Sequence, residues 1–301
     1  MSLLVVGSVA FDNIQTPYGQ AQDIPGGSAS YFSVTASYFA PVNIVAVVGE
    51  DFGDAQMQIF RGRRIDTQGL ERAKGKTFRW RGEYKGDMNE AHTLETQLNV
   101  FQSFAPKIPA SYLDSEFVFL GNIDPALQLH VRRQLPKTRL VACDTMNYWI
   151  TGKPDDLKKT LAAVDVLVIN EGEARQLTGS ENLRKSAAAI QKLGPRTLVV
   201  KRGEHGAVLF RDQSIFFAPA FPLEQVRDPT GAGDTFAGGF MGYLAREGDC
   251  SESNLRRALV YGSVMASFAV EEFGLARLLR VRPEEIEARF KEFKAMTYFD
   301  V

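Results

Sequence analysis

Short apolar runs alternate with amphipathic stretches along most of the chain, and this rhythm predicts strands separated by helices. The runs predicted as strands span residues 3–6, 43–48, 117–120, 139–143, 164–169 and 197–201. Helical spacing of apolar residues predicts helices over 28–39, 126–134, 155–162, 171–178, 183–193, 254–270 and 283–293. Strands that alternate with helices are typical of an α/β fold with a doubly wound, mainly parallel central sheet flanked by helices.

One stretch, from about residue 67 to residue 100, interrupts this rhythm. Apolar and polar residues alternate over 77–84 and again over 93–101, which is the pattern of half-exposed strands. Turn-forming residues at 86–89 separate the two runs, and no helical pattern lies between them. We therefore predict a β-hairpin here, added to the α/β rhythm.

Residues 228–240 read Asp-Pro-Thr-Gly-Ala-Gly-Asp-Thr-Phe-Ala-Gly-Gly-Phe, which predicts a glycine-rich loop that leads into a helix. The Asp-Pro pair closes the preceding segment, because the residue before a proline avoids helical geometry. Apolar residues then recur at helical spacing from Asp234 onward. The start of a helix exposes backbone N–H groups and a partial positive charge, so this loop suits an anion such as a phosphate.

Asp234 is unexpected at such a site, because a carboxylate repels a phosphate. Its position makes sense if it accepts a proton from a hydroxyl group that attacks a phosphoryl group. Gly238, Gly239 and Gly242 lie inside the same predicted helix, where each glycine costs about 1 kcal/mol relative to alanine. That cost predicts that the helix packs against a neighbour that leaves no room for side chains.

Polar residues follow several of the predicted strands: Asn122, Asp144 with Asn147, Asn170, and Lys201. The carboxyl ends of parallel strands meet in one crevice of an open α/β sheet. Repeated amides and carboxylates there favour a polar ligand, although any single one also suits a turn or a helix cap. The Gly-x-Gly-x-x-Gly and P-loop patterns are absent from the sequence, which disfavours two common nucleotide-binding folds.

Composition limits the classes of protein that this sequence fits. The 301 residues carry a formal net charge of −1, so no basic face for nucleic acid or an anionic membrane is expected. Cys143 and Cys250 are too few for a disulfide scaffold, and the three histidines lack the spacing of a zinc site. The first residues lack the basic segment of a signal peptide, and no apolar run is long enough to span a bilayer. We therefore expect a cytoplasmic protein.

The string at 228–240 closely resembles the C-terminal signature of the ribokinase-like, PfkB-type carbohydrate kinases, Asp-Thr-x-Gly-Ala-Gly-Asp-x-Phe, with proline in place of the first threonine. The resemblance implies a single ribokinase-like α/β domain over residues 1–301, with a small β-lid built from about 13–24 and 68–102. It implies a kinase that uses ATP and Mg²⁺, and it leaves activation by a monovalent cation open. Asp234 would be the general base, and Gly231, Ala232 and Gly233 would form the anion hole.

The resemblance, together with the polar strand ends, also implies the residues that would hold the two substrates. The expected acceptor-binding residues are Asp12, Gly26, Gly27, Ser28, Tyr31, Arg79, Asn122 and Asn147. The expected nucleotide-binding residues are Asn170, Lys201, Gly203, Gly206, Gly231 and Gly233. The run from Asn170 to Glu173 resembles the Asn-x-x-Glu motif of the family, so Glu173 would support Mg²⁺. Without the resemblance, Glu173 would be interpreted as a helix N-terminal charge, and Gly26-Gly27 as a turn that enters a helix.

The identity of the acceptor stays open. A sugar or sugar-like molecule is the first hypothesis, although Ser28 and Tyr31 stand where many sugar kinases of the family carry lysine and asparagine. An aromatic lid with Trp80 and Tyr84 could stack on a base, so a nucleoside (adenosine-type) kinase is the main alternative. A non-catalytic sugar- or nucleotide-binding sensor is more remote, because the expected base and metal ligand are both retained. The exposed hairpin also offers a surface for a homodimer.

Overall fold

The computed structural model describes residues 1–86, 88–89 and 91–298, so position 87 of the predicted turn lies outside the described residues. The strands are β1 (Leu3–Val6), β2 (Ala10–Thr16), β3 (Gly19–Gly26), β4 (Val42–Val48), β5 (Ile65–Arg72), β6 (Phe78–Tyr84), β7 (Ala91–Gln97), β8 (Phe117–Leu120), β9 (Leu140–Cys143), β10 (Val166–Asn170), β11 (Thr197–Lys201), β12 (Ala207–Arg211) and β13 (Ser214–Ala218). The helices are α1 (Ser28–Ala36), α2 (Asp54–Met57), α3 (Pro125–Gln134), α4 (Asn147–Gly152), α5 (Pro154–Leu161), α6 (Glu171–Thr178), α7 (Leu183–Gln191), α8 (Ala232–Glu247), α9 (Glu252–Ala269) and α10 (Pro283–Thr297). Short 3₁₀ turns lie at Asn99–Ser103, Ala110–Tyr112 and Gly203–His205.

The central sheet has nine strands in the order β13-β12-β11-β10-β9-β8-β1-β4-β5. All neighbours from β11 across to β5 pair in parallel, and β12 and β13 add an antiparallel edge. The chain starts inside the sheet at β1 and builds outward on both sides, so the predicted doubly wound α/β fold is confirmed. The carboxyl ends of the parallel strands therefore lie along one edge, where ligands of such folds bind.

Side chains alternate between the two faces of this sheet and divide the hydrophobic core in two. On β1, Leu3 and Val5 pack into a cluster with residues of α1, α8, α9 and α10. Leu4 and Val6 pack into a second cluster with residues of α3, α5, α6 and α7. All four side chains are fully buried. A strand that is covered on both faces is apolar at every position, which explains the continuous apolar run at 3–6.

A second sheet of four strands, in the order β3-β2-β6-β7, is called the lid below. The predicted hairpin is present as β6 and β7, and β6 pairs in parallel with β2, so that Asp12 is opposite Trp80. The sequence-based range of 68–102 is too wide at its start, because residues 68–72 belong to β5, which pairs with β4 in the central sheet. It is also too wide at its end, where Asn99–Ser103 is a 3₁₀ turn.

Helix α8 packs between two other helices, as its internal glycines predicted. A Cβ atom on Gly238 would lie 2.7 Å from the carbonyl oxygen of Phe32 in α1. A Cβ atom on Gly239 would lie 2.8 Å from the carbonyl oxygen of Tyr261 in α9. These contacts bring the helix backbones close together and hold the N-terminus of α8 at the edge of the sheet. Within the described residues, no helix combines the length and the apolar character that crossing a bilayer requires.

Candidate active site

Asp12 lies on β2, and the Gly26-Gly27 turn is shaped around its carboxylate. A Cβ atom on Gly26 would lie 1.9 Å from Oδ2 of Asp12, so only glycine leaves room for the carboxylate. Gly27 has a φ of 88°, a conformation that glycine adopts readily, and its backbone amide lowers the pKa of Asp12. Burial, followed by the negative charge of Asp228, raises the pKa of Asp12 to about 7. Asp12 is therefore a carboxyl group that is only partly ionised at neutral pH.

Tyr31 of α1 supports the glycine-rich loop. A Cβ atom on Gly231 would lie 2.5 Å from three atoms of the Tyr31 ring, so the ring packs directly on this glycine. Gly231 also has a φ of 71°, a conformation that glycine adopts readily. The Tyr31 hydroxyl is buried and makes no hydrogen bond among the described residues. Burial, followed by the charge of Asp12, raises the pKa of Tyr31 well above its usual range, so the hydroxyl stays protonated.

Asp228 and Thr230 connect the glycine-rich loop to the rest of the site. Asp228 is fully buried, and its two carboxylate oxygens accept hydrogen bonds from the amides of Thr230 at 2.9 Å and Gly274 at 2.8 Å. Burial raises the pKa of Asp228, although these hydrogen bonds lower it. The hydroxyls of Thr230 and Tyr84 lie 3.2 Å apart. Because Tyr84 belongs to β6, this hydrogen bond joins the lid to the loop at the start of α8.

The start of α8 presents free backbone amides beside Asp234. The amide of Ala232 donates to the carbonyl of Pro229 at 3.2 Å. In the part of the chain that the structure describes, the amides of Gly233 and Asp234 donate to no protein acceptor. These two N–H groups and the helix dipole are therefore available to an anion. Burial raises the pKa of Asp234 to about 6, although the positive charge of Lys201 lowers it, and such a pKa suits a general base at neutral pH.

Three acidic side chains lie near Lys201: Asp144 after β9, Glu173 after β10, and Asp234 at the start of α8. The positive charge of Lys201 lowers the pKa of each of them, and burial raises it. Asp144 is 6% exposed, and its Oδ1 atom has no hydrogen-bond partner among the described residues. Burial, followed by the charge of Asp234, holds the pKa of Asp144 well above its usual range. Of the polar strand ends named from the sequence, Asp144, Asn170 and Lys201 thus lie close to one another.

Glu173 and Asn170 cap the start of α6 reciprocally. The amide of Glu173 donates to Oδ1 of Asn170 at 2.8 Å, and the amide of Asn170 donates to Oε2 of Glu173 at 2.9 Å. Within the described ranges, no three acidic, histidine or cysteine side chains converge tightly enough to hold a metal ion alone. Mg²⁺ at nucleotide sites is usually held by one or two carboxylates, phosphate oxygens and water. The carboxylate oxygens of Glu173 and Asp144 fit that arrangement.

Gly203 and Gly206 form a tight turn after β11. The amide of Arg202 donates to the carbonyl of Gly206 at 2.8 Å and closes the turn. A Cβ atom on Gly206 would lie 2.1 Å from the carbonyl oxygen of Ala218 in β13. A Cβ atom on Gly203 would lie 2.4 Å from Oδ1 of Asn89 at the tip of the lid hairpin. The tip of the lid therefore reaches the turn that the sequence predicts beside the nucleotide.

Arg79 lies on the face of the lid opposite to Asp12. Residues alternate along β6, so Arg79 and Trp80 lie on opposite faces of the lid, and Trp80 shares the face of Asp12. The Arg79 guanidinium pairs with Asp23 of the lid and, at 3.1 Å, with Asp51 of the loop after β4. It also lies 4.7 Å from the centre of the Phe11 ring. The pair with Asp51 joins the lid to the central sheet, and the contact of Arg79 with the acceptor stays a prediction.

The three other residues of the expected acceptor set are Ser28, Asn122 and Asn147. Ser28 is buried, and its hydroxyl accepts a hydrogen bond from the amide of Ser8 at 3.1 Å. Gly27 occupies the N-cap position of α1, so Ser28 is the first residue of the helix. Asn122 accepts a hydrogen bond from Trp149 Nε1 at 2.9 Å, and Asn147 is an exposed residue at the start of α4.

A cavity of about 350 Å³ opens on the lid. Its polar lining includes Asn13, Gln15, Gln22, Arg79, Arg81 and Glu95. Neither Asp12 nor Asp234 lines it, so this cavity is separate from the cluster described above.

Three residues described above belong to neither the acceptor-binding set nor the nucleotide-binding set expected from the sequence: Asp144, Asp228 and Thr230. Asp144 carries the same signal as Asn122 and Asn170, a polar residue directly after a buried strand. Its burial and its nearness to Lys201 distinguish it from other strand ends, and both depend on the tertiary fold. Thr230 lies inside the glycine-rich signature, and its contact with Tyr84 depends on where the lid packs.

The chain resembles known proteins over most of its length. The chain matches the pfkB family carbohydrate kinase model over residues 2–281. A cytidine kinase of Thermococcus kodakarensis is 30% identical over 266 residues, which cover 86% of this chain and 95% of that protein. A nucleoside kinase of Methanothermobacter thermautotrophicus is 24% identical over 295 residues, which cover 90% of each chain. The structure of an E. coli protein assigned as a ribokinase II, solved with ATP and Mg²⁺, has a TM-score of 0.78 at 19% identity and covers 97% of this chain and 99% of that one.

The chain therefore belongs to the pfkB family of carbohydrate kinases. Its fold is ribokinase-like, and it is an ATP-dependent phosphotransferase with an alcohol group of a sugar or nucleoside as acceptor. The family, the fold and the class of enzyme predicted from the sequence are confirmed.

Proposed function

We propose that Asp234 is the general base of this kinase and that the free amides of Gly233 and Asp234 bind the phosphoryl group in transfer. The observation that supports this proposal is the position of a carboxylate with a pKa of about 6 directly beside unoccupied amides at a helix start. The carboxylate takes the proton of the acceptor hydroxyl as that oxygen attacks the γ-phosphorus of ATP and ADP leaves. The amides stabilise negative charge on the transferring group without moving.

Glu173 and Asp144 would hold Mg²⁺ together with the nucleotide phosphates. Bound there, the ion would neutralise charge on the phosphate oxygens. Glu173 is fixed by its reciprocal bond with Asn170, so its carboxylate needs little reorganisation. Asn170, Gly203 and Gly206 border the nucleotide at the ends of β10 and β11, where the tip of the lid comes close.

We further propose that the acceptor is a nucleoside. The face of the lid that carries Asp12 also presents Ile14, Ile24, Trp80 and Tyr84, which form an apolar cluster. The polar tips of both aromatic residues are engaged: Trp80 Nε1 donates to Thr93 at 3.1 Å, and the Tyr84 hydroxyl bonds to Thr230. This surface suits the flat face of a base better than a ring of sugar hydroxyls, and Asp12 remains to accept hydrogen bonds from the ribose.

The test of the catalytic proposal is the isosteric variant Asp234→Asn. We expect kcat to fall by roughly 10²- to 10⁴-fold, because a general base contributes about that much. ATP binding, measured by calorimetry, should be retained. Asp114→Asn removes a carboxylate whose side chain is 81% exposed and serves as the control. Turnover of Asp234→Asn close to that of the control would rule out Asp234 as the base.

The acceptor is tested by measuring ADP release over matched panels of nucleosides and free sugars. A nucleoside should exceed ribose and fructose by about 100-fold or more in kcat/KM. Stacking on an aromatic side chain is worth about 1–3 kcal/mol per base, so Trp80→Ala should lower kcat/KM for that nucleoside at least fivefold and Trp80→Phe should restore much of it. A free sugar that outperforms every nucleoside would show that the first hypothesis, a sugar kinase, is the correct one.

Three further expectations from the sequence stay predictions: a cytoplasmic location, activation by a monovalent cation, and a homodimer formed through the lid. Sedimentation of the free chain and activity with and without K⁺ test the last two.

A further inference from the structure

Lys201 extends from the end of β11 across the first turn of α8. A Cβ atom on Gly233 would lie 2.6 Å from Nζ of Lys201, 3.7 Å from Cε and 4.0 Å from Cδ. The ammonium group therefore lies directly beside the backbone of Gly233, and the side chain runs toward it. This position is set by the sheet, because Lys201 pairs in register with Asn170 of β10.

The ammonium group of Lys201 has no bonded partner there. Across residues 1–86, 88–89 and 91–298, it forms neither an ion pair nor a hydrogen bond. Asp144, Glu173 and Asp234 are close enough for its charge to act on them, but none of them contacts it. A lysine whose purpose is to neutralise acidic neighbours would be expected to form an ion pair with one of them.

The helix start adds a second reason to expect a ligand. The N-terminus of α8 carries a partial positive charge, and a lysine beside it is repelled. The ammonium group and the amides of Gly233 and Asp234 present several unoccupied donors to one small region. Positive groups held together in this way are stabilised by an anion that lies between them.

We propose that Lys201 binds the terminal phosphates of the nucleotide and so makes the site selective for ATP and ADP over AMP. The proposal rests on the proposed function, which places the phosphoryl group at the start of α8. An ammonium group is a compact charge with three donors on a flexible side chain. It requires no fixed geometry of its partner, so it can keep its contact with a phosphoryl group that moves during transfer. Lys201 would then contact the nucleotide before and after transfer.

The experiment compares nucleotide binding by the full chain in EDTA, measured by calorimetry with ATP, ADP and AMP. For Lys201→Met we expect the Kd of ATP and ADP to rise at least tenfold, whereas the Kd of AMP changes less than twofold. Lys201→Arg should recover part of the loss. Arg196→Gln removes one positive charge just before the other end of β11, where Arg196 pairs with Asp212, and should leave all three affinities unchanged.

A second variant distinguishes direct contact between Lys201 and the phosphates from an effect of the net charge of the site. In Lys201→Met/Asp234→Asn, measured at pH 8 where Asp234 of the wild type is ionised, one positive and one negative charge are removed together, so the net charge of the cluster is restored. Direct contact predicts that ATP stays at least tenfold weaker than in the wild type. Recovery of ATP affinity in the double variant would overturn the proposal, as would an equal loss for ATP and AMP in Lys201→Met. If the wild type bound neither ATP nor ADP, the proposed function would fail first, and this inference with it.

Discussion

Asp12 and Asp234 show how the surroundings of a residue determine what its side chain can do. Both carboxyl groups have a raised pKa because they are buried, to about 7 for Asp12 and about 6 for Asp234. The difference comes from their neighbours. Asp12 lies near Asp228, whose negative charge raises its pKa further, whereas Lys201 lowers the pKa of Asp234. Asp234 is therefore the more ionised of the two at neutral pH, as a proton acceptor must be.

The pKa of Asp234 predicts an acid limb in the pH–rate profile. Asp234 must be ionised to accept a proton, so kcat/KM for ATP should fall about tenfold per pH unit below about 6. Saturating acceptor should be used, because a bound acceptor masks the titration of Asp12 near pH 7. Lys201→Met should move the limb to higher pH, since the lost positive charge no longer lowers the pKa of Asp234. A profile that is flat down to pH 5, with the protein still folded, would contradict the assignment.

The pKa of Asp12 predicts a cost in stability at high pH. Its pKa in the folded chain, about 7, lies above the ordinary value of 3.8, so the native state binds more protons between these two values. The protonated form of Asp12 therefore favours the native state at low pH. As the pH rises toward 7 this contribution to the free energy of unfolding is lost, and it amounts to at most on the order of 4 kcal/mol. The side chain introduced by Asp12→Asn does not titrate. The free energy of unfolding of the variant minus that of the wild type should therefore be more positive at pH 8 than at pH 5. Urea unfolding of both proteins at the two pH values measures this, and an equal difference at both would show that the pKa is not raised.

Among the helices, α8 does the most to position the site, and it does so through residues that are unfavourable for a helix. Gly238 and Gly239 let α1 and α9 approach its backbone to contact distance. This packing fixes the end of α8 at which Asp234 and the free amides lie. The local cost of the glycines is thus offset by the tertiary contacts that they permit.

The packing of α8 predicts that Gly238→Ala is destabilising. The added methyl group would lie 2.7 Å from the carbonyl oxygen of Phe32, a backbone atom that cannot move alone. We expect a loss of roughly 1–3 kcal/mol in the free energy of unfolding, despite the better helix propensity of alanine. Gly152→Ala is the control, because nothing lies within 4 Å of its Cβ position, and it should be neutral or slightly stabilising. If both variants had the same stability, the close packing of α8 would be wrong.

The sequence predicts elements well where one local pattern suffices, and less well where pairing decides. The continuous apolar strands and the amphipathic helices are found close to their predicted bounds. Residues 19–26, Gly-Gln-Ala-Gln-Asp-Ile-Pro-Gly, have no strand pattern, and they form β3 because β2 pairs with them. The hairpin of β12 and β13 did carry a signal, two apolar runs separated by Asp212 and Gln213, and was missed.

At the site, the signature and the strand ends identify Asp234, Glu173 and Lys201, but sequence alternation alone does not tell which face of the lid Arg79 occupies.

At the scale of the whole molecule, the site lies between the central sheet and the lid, so its geometry depends on how the two are joined. One connection is the hydrogen bond between Tyr84 and Thr230, at the signature loop. The other is formed by Arg79, which pairs with Asp23 of the lid and with Asp51 in the loop that follows β4 of the central sheet. These connections lie on opposite faces of β6, so together they hold the strand in position. The first joins the lid to the loop at the start of α8, and the second joins it to the loop after β4.

This arrangement predicts that Arg79 positions the lid and does not bind the acceptor. Arg79→Ala should speed hydrogen exchange of the β6 and β7 amides in the ligand-free enzyme, because two ion pairs and the contact with Phe11 are lost. KM for the acceptor should rise several-fold, because the loosened lid must be reordered on binding. Arg81→Ala, at an exposed position two residues along the same face, is the matched control and should leave the exchange of β6 and β7 unchanged. A raised KM with unchanged exchange in the free enzyme would instead favour the direct acceptor contact that the sequence predicted for Arg79.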